Sequence, residues 1–180
     1  HEEYGFKKFM IVVPSIAIRK GVEKSIEQLQ KHFLTLHNIN IDQHSFVYNS
    51  DRLGRMKAFI ETPDLDICVI NSQAFAGKDK TRIRAKQEQG GEVLWDRIKD
   101  IHPIVLIDEP QKGEGTKKKK SQALLALEEL QPLFVLKYSA THKKEFPFNL
   151  IYKLDSYKAY EDKLVKRIKV KTVYGQISKD

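Results

Sequence analysis

The run Ile104-Val105-Leu106-Ile107 ends on two consecutive carboxylates, Asp108 and Glu109, followed by Pro110 and Gln111. Four apolar, mostly β-branched residues leading into two acids describe a buried strand that delivers both side chains to its carboxyl end. An acid placed there can hold a small hard cation, which binds through oxygen and keeps much of its water. The acid beside it can orient or deprotonate a water that attacks a phosphate. The plainer alternative is an aspartate capping the next helix, with a surface glutamate as neighbour.

Three more apolar runs end on polar residues. Tyr138-Ser139-Ala140-Thr141 follows one of them, and its hydroxyls exchange hydrogen-bond partners at little cost, which suits a hinge between a phosphate site and a second ligand site. Val12-Val13-Pro14-Ser15-Ile16-Ala17-Ile18-Arg19 closes another, where Ser15 and the start of a helix can offer a hydroxyl and backbone N–H groups to a phosphate. Val69-Ile70-Asn71-Ser72-Gln73 closes the third, offering amides and a hydroxyl. Taken singly, each of these also reads as an ordinary turn or helix cap.

Stepping from these ends to the segments between them, strands and helices alternate. The pattern predicts strands over 9–13, 42–48, 65–70, 104–107, 133–138, 149–154 and 167–173. Helices are predicted over 16–36, 52–60, 92–101, 121–130 and 156–164, the first from Ile18, Val22, Ile26, Leu29, Phe33 and Leu36 at helical spacing. The aperiodic stretch 76–91 is expected to be a loop or mobile insert, and the lysine-rich 112–120 a flexible, solvated loop. Such alternation argues for an α/β fold with a parallel sheet and helices on both faces, whose ligands gather beyond the carboxyl ends of the strands. Trp95, beside Leu94 and Ile98, reads as core, and His142 as a surface residue.

The 180 residues fit one domain, and no uninterrupted apolar run exceeds five residues, far short of the roughly 20 a membrane-spanning helix needs. Thirty-two basic against 24 acidic residues leave a net charge of +8, a balance that attracts polyanions, nucleic acid above all, unless it is simply a lysine-rich surface. The lone Cys68 excludes an internal disulfide, no Cys/His spacing suits zinc, and the thiol content fits a cytoplasmic protein. Pro63-Asp64 lacks the downstream acid and lysine of a metal-dependent nuclease.

In order, VVPSIAIRKGV, VINSQAF, VLIDEPQ and FVLKYSATHK resemble motifs Ia, Ic, II and III of superfamily 2 helicases, and more narrowly the restriction (Res) subunit of type III restriction–modification enzymes. The segment Asn149-Leu150-Ile151-Tyr152-Lys153-Leu154-Asp155 is similar to that family too. The resemblance implies a RecA-like sheet, with residues 1–180 forming part of a first motor domain, and a parent that moves along double-stranded DNA with ATP and Mg²⁺ and works with a methylase subunit. By the same resemblance Asp108 serves Mg²⁺ through water and Glu109 serves the hydrolytic water. Gln111 senses the nucleotide, and Ser139 and Thr141 couple hydrolysis to DNA contact. Ser15, Arg19 and Gln73 lie near the nucleic acid.

No G-x-x-x-x-G-K-[ST] occurs; Gly77-Lys78-Asp79 and Gly115-Thr116-Lys117 lack its paired glycines and hydroxyl. The resemblance places that P-loop before His1, so the expectation is an excised piece that is inactive alone. Two other readings stand beside it. One is a different superfamily 2 DNA helicase or repair ATPase. The other is a non-enzymatic α/β nucleic-acid-binding domain whose acidic pair is structural.

Overall fold

The computed structural model describes residues 3–77, 81–86, 93–113, 115, 119–139 and 149–166. In chain order the elements are β1 Lys8–Val13, α1 Ile16–His37, β2 Ser45–Val47, α2 Gly54–Glu61, β3 Asp66–Asn71, α3 Gln73–Ala76, α4 Leu94–Asp100, β4 Ile104–Asp108, α5 Gln122–Leu130, β5 Val135–Tyr138 and α6 Ser156–Glu161. The chain divides into two units, 1–146 and 147–180, and the first holds the sheet.

All five strands pair in parallel, in the order β2-β3-β1-β4-β5. Crossovers between parallel strands are right-handed in nearly every fold. From β1 the chain runs one way across the sheet to β2, and every later crossover runs the other way. Handedness alone therefore puts α1 on one face and α2, α4 and α5 on the other.

Packing agrees. Met10, Val12, Cys68, Ile70 and Val105 form one core with Met56 and Phe59 of α2, Leu94, Trp95 and Ile98 of α4, and Ala126, Leu127 and Leu130 of α5. Burying each large side chain contributes about 1.5–3 kcal/mol. The alternate strand positions Val13 and Val69 are buried on the other face, where α1 lies against β1 and β3. α1 itself contributes no fully buried residue. The all-parallel sheet with helices on both faces, expected from the sequence, is the fold that forms.

Caps fix where the helices begin. Ser15 and Ser121 accept hydrogen bonds from the N–H groups of Ile18 and Leu124, at 3.3 and 3.0 Å, and so start α1 and α5. At the amino edge of the sheet the buried Asp66 receives both guanidinium nitrogens of Arg55 at 2.6 Å, and that guanidinium stacks 4.1 Å from the Phe46 ring centre.

Some expectations need correction. Segment 149–154, predicted as a strand, forms no strand, and Leu150, Ile151 and Tyr152 are exposed. No strand pairs with it among the described residues, and an unpaired strand is unstable in water. The stretch 76–91 is aperiodic, yet its described part is anchored. Ile83 is fully buried, and its carbonyl accepts the Trp95 N–H at 3.0 Å. In the loop expected over 112–120, Gly115 and Lys120 make an isolated antiparallel bridge. Gly115 has φ +77° and no room for a Cβ, which would fall 2.5 Å from the Lys119 carbonyl oxygen. The strand predicted over 167–173 lies outside the described residues. Among the described residues no helix is long and apolar enough to cross a membrane.

Candidate functional site

Because all strands run the same way, their carboxyl ends share one edge. The register pairs Val13 with Asn71, Val12 with Ile107, and Asp108 with Tyr138. One row therefore crosses the sheet from Asn71 through Val13 and Asp108 to Tyr138, and the next residues outward are Ser72, Pro14, Glu109 and Ser139. Adjacent strands are about 4.8 Å apart, so chemistry quoted from four distant stretches of sequence comes together.

Between β1 and β4 the connections diverge, α1 leaving toward β2 and α5 toward β5. A crevice opens where crossovers part to opposite faces of a parallel sheet. The cleft found there encloses about 440 Å³, including the solvent at its mouth. Val12, Val13 and Pro14 form one wall, Ile107 to Pro110 another, and Ala123, Leu124 and Leu127 of α5 the apolar side, while Ser72 and Lys137 add polar groups.

Asp108 ends β4, half-buried, and its carboxylate takes no hydrogen bond or ion pair among the described residues. Glu109 leaves the strand with φ 51° and ψ 54°, a left-handed conformation that costs a non-glycine residue about 1 kcal/mol or more. Pro110 disfavours right-handed helical backbone at the residue before it, and the Glu109 N–H bonds the Tyr138 carbonyl at 3.0 Å. A single 3-10 turn over Pro110–Lys112 then carries Gln111 back over the edge.

Gln111 is the hub. Its amide nitrogen donates to Glu109 Oε2, and its amide oxygen accepts the Ser139 hydroxyl at 2.7 Å. The carboxylate after β4 and the hydroxyl after β5 are thereby joined through one carboxamide. Gly113 extends the turn, its carbonyl accepting the Ser121 hydroxyl at the start of α5.

The other residues singled out from sequence fare unevenly. Ser15 lies on the same edge, its oxygen engaged as the α1 cap. Arg19 is half-buried one turn into α1 and pairs with Glu23 at 3.4 Å. Gln73 opens α3 and is exposed. Thr141 lies outside the described residues, as does His142. Sequence reasoning passed over Lys137 as a cleft residue, although a lone lysine inside the run Leu133 to Tyr138 was a signal; the short α3 and the 3-10 turn left none. Cys68 is fully buried and burial pushes its thiol well above the usual range, so it supplies no nucleophile.

The donor set suits a hydrated divalent cation rather than an all-protein cage. Among the described residues no three metal-ligating side chains cluster, and the edge offers Asp108 and Glu109 beside an open cleft. Magnesium is bound in that fashion, by one or two carboxylates, waters and substrate phosphates.

No protein-family profile matches the chain. Among curated proteins it is similar to the Res subunit of the type III restriction–modification enzyme EcoP15I from Escherichia coli, 23% identical over 187 residues that cover 93% of this chain and 19% of that protein. It is equally similar to the EcoPI Res subunit of Escherichia phage P1, 23% identical over 93% of the chain and 19% of the relative. The StyLTI Res subunit of Salmonella typhimurium is 24% identical over 78% of the chain and 16% of the relative. The chain spans about a fifth of the length of these relatives. Three Res subunits carry the resemblance that the strand-end motifs suggested.

Proposed function

We propose that this chain is part of the ATP-hydrolysing motor of a type III restriction subunit, in which phosphate chemistry at the carboxyl edge of the sheet is coupled to movement along double-stranded DNA. The similarity to Res subunits supports the family reading. The observation that carries the mechanism is the Gln111 bridge between Glu109 and Ser139.

Each residue then has a task. Asp108 would hold Mg²⁺ through its water shell, and the ion, when bound with ATP, would neutralise charge on the phosphates. Glu109 accepts a hydrogen bond from the attacking water and turns it toward phosphorus. Its αL backbone aims the carboxylate off the strand, and the Gln111 amide holds one carboxylate oxygen so that the other is left for water. Ser139 gives Gln111 its second anchor. A rotation of the Gln111 carboxamide therefore reports the state of Glu109 to Ser139 at the end of β5, a residue that the resemblance ties, with Thr141, to DNA contact. Ser15, Arg19 and Gln73 offer a hydroxyl, a cation and an amide to the DNA backbone. The methylase subunit is the expected partner and the cytoplasm the expected site of action.

The test is Glu109→Gln in the intact protein, with DNA-stimulated ATP hydrolysis measured and folding followed by circular dichroism. A fall of about 100-fold or more with the fold retained is expected. Hydrolysis at the normal rate would refute the motor reading. A motor that hydrolyses ATP but cleaves no DNA when the methylase subunit is present would separate restriction from another helicase activity.

A further inference from the structure

We infer that Asn71 is a positioning residue for Arg19, which exchanges Glu23 for Asn71 when it engages a DNA phosphate. The inference rests on the proposed DNA track and adds to it a residue with no assigned role.

Where α1 meets the end of β3, two buried polar atoms lack a hydrogen-bond partner among the described residues: the carboxamide oxygen of Asn71, and the Nε of Arg19, which has only a long 3.4 Å contact with Glu23 Oε1. One is an acceptor and the other a donor. Both belong to the same face. Ile70 points into the core under α2, α4 and α5, so Asn71, the next residue along β3, projects to the face that α1 covers. Arg19 is one turn into α1, which starts at this same carboxyl edge and lies against β1 and β3. Arg19 and Glu23 flank the half-buried stripe of Ile18, Val22 and Ile26.

In the structure Arg19 leans on Glu23 at 3.4 Å, a long contact beside a half-exposed carboxylate. That arrangement opposes an incoming phosphate, because the carboxylate already offsets the guanidinium charge. A neutral carboxamide oxygen does the opposite. By accepting Nε–H in place of Glu23 Oε1, Asn71 fixes the guanidinium plane and leaves its full charge for a bidentate phosphate contact through the terminal nitrogens. The exchange also gives the stranded Asn71 oxygen a partner, removing the penalty of an unsatisfied buried acceptor.

The experiment measures binding of a labelled DNA duplex to the intact protein across a range of salt concentrations. Asn71→Ala and Asn71→Asp are each expected to weaken binding by about tenfold, the second because a carboxylate would restore the competing charge. Glu23→Gln should tighten it. Arg19→Ala should lose about as much as Asn71→Ala and flatten the salt dependence by about one phosphate contact. The double variant should lose no more than either single one. Additive losses, normal affinity in both Asn71 variants, or a lowered unfolding midpoint with an unaltered salt slope would each overturn the inference. If Arg19→Ala binds normally the inference also falls, and hydrolysis by Glu109→Gln then shows separately whether the motor reading survives.

Discussion

Ser139 donates a hydrogen bond to the amide oxygen of Gln111 at 2.7 Å, across 28 residues of sequence. Since the other end of that carboxamide bonds Glu109, removing either partner frees the same carboxylate. Gln111→Ala and Ser139→Ala are therefore each expected to lower the DNA-stimulated kcat by about tenfold, with a smaller effect on the KM for ATP. The double variant should be no worse than Gln111→Ala alone, which a double-mutant cycle on the intact protein would read directly. Independent, multiplying losses would show that the two groups do not act through one carboxamide.

At the opposite edge of the sheet, Arg55 is the partner of a carboxylate that is only 5% exposed. Arg55→Ala strands that charge, and the expected cost is about 3 kcal/mol or more. Urea unfolding of the 180-residue chain, followed by circular dichroism, would register it as a lower midpoint with an unchanged slope.

Ile83 fills the core from an otherwise polar stretch. Truncation to Ala leaves a cavity beneath α4 and should cost about 2–4 kcal/mol. Trp95 is the sole tryptophan, and the Arg84 guanidinium covers its ring at 4.1 Å. Arg84→Ala should therefore shift the chain's tryptophan emission to the red, and it should also lower stability, because the side chain is 10% exposed and pairs with Glu129. An unmoved emission maximum would mean that the ring keeps its cover without Arg84.

Glu129 gives a pH dependence. Partial burial pushes its carboxyl up, but hydrogen bonds from Arg84 and from the Trp95 indole outweigh burial and hold it below the ordinary value of 4.5. A carboxyl lowered on folding adds stability that is present above its unfolded value and disappears as pH falls through its folded value. The stability difference between the parent chain and Glu129→Gln should accordingly be constant near neutral pH and close below about pH 4.5. Because Glu129 is 45% exposed, the difference is small, and added salt should shrink it further.

Much of this arrangement was legible in the chain itself. Apolar runs located β1, β3, β4 and β5, and the polar residues closing them fall along the edge that borders the cleft, because a parallel sheet forces strand ends to one edge. What escaped was of another kind. Asp66 fell inside the strand predicted over 65–70, but nothing there showed what neutralises it, since its partner lies 11 residues away on a different element. Ile83 is a single apolar residue among charges and has no periodicity to reveal it. The 149–154 segment shows the reverse error, in which β-type residues suggest a strand but pairing, not propensity, makes one. Gln111 was read as a sensor through resemblance, whereas its two hydrogen bonds depend on a left-handed Glu109, a backbone state that no residue pattern encodes.

The row from Asn71 to Tyr138 exists only when four strands separated by long crossovers have all docked. The site is consequently all-or-none: it cannot be half assembled, since no single supersecondary unit carries more than a part of it. A lesion at the Arg55–Asp66 end would empty the cleft by depopulating the native state rather than by bending it, so the molecules that remain folded would keep the row intact. Counting folded molecules, rather than averaging a signal over all of them, would expose that difference.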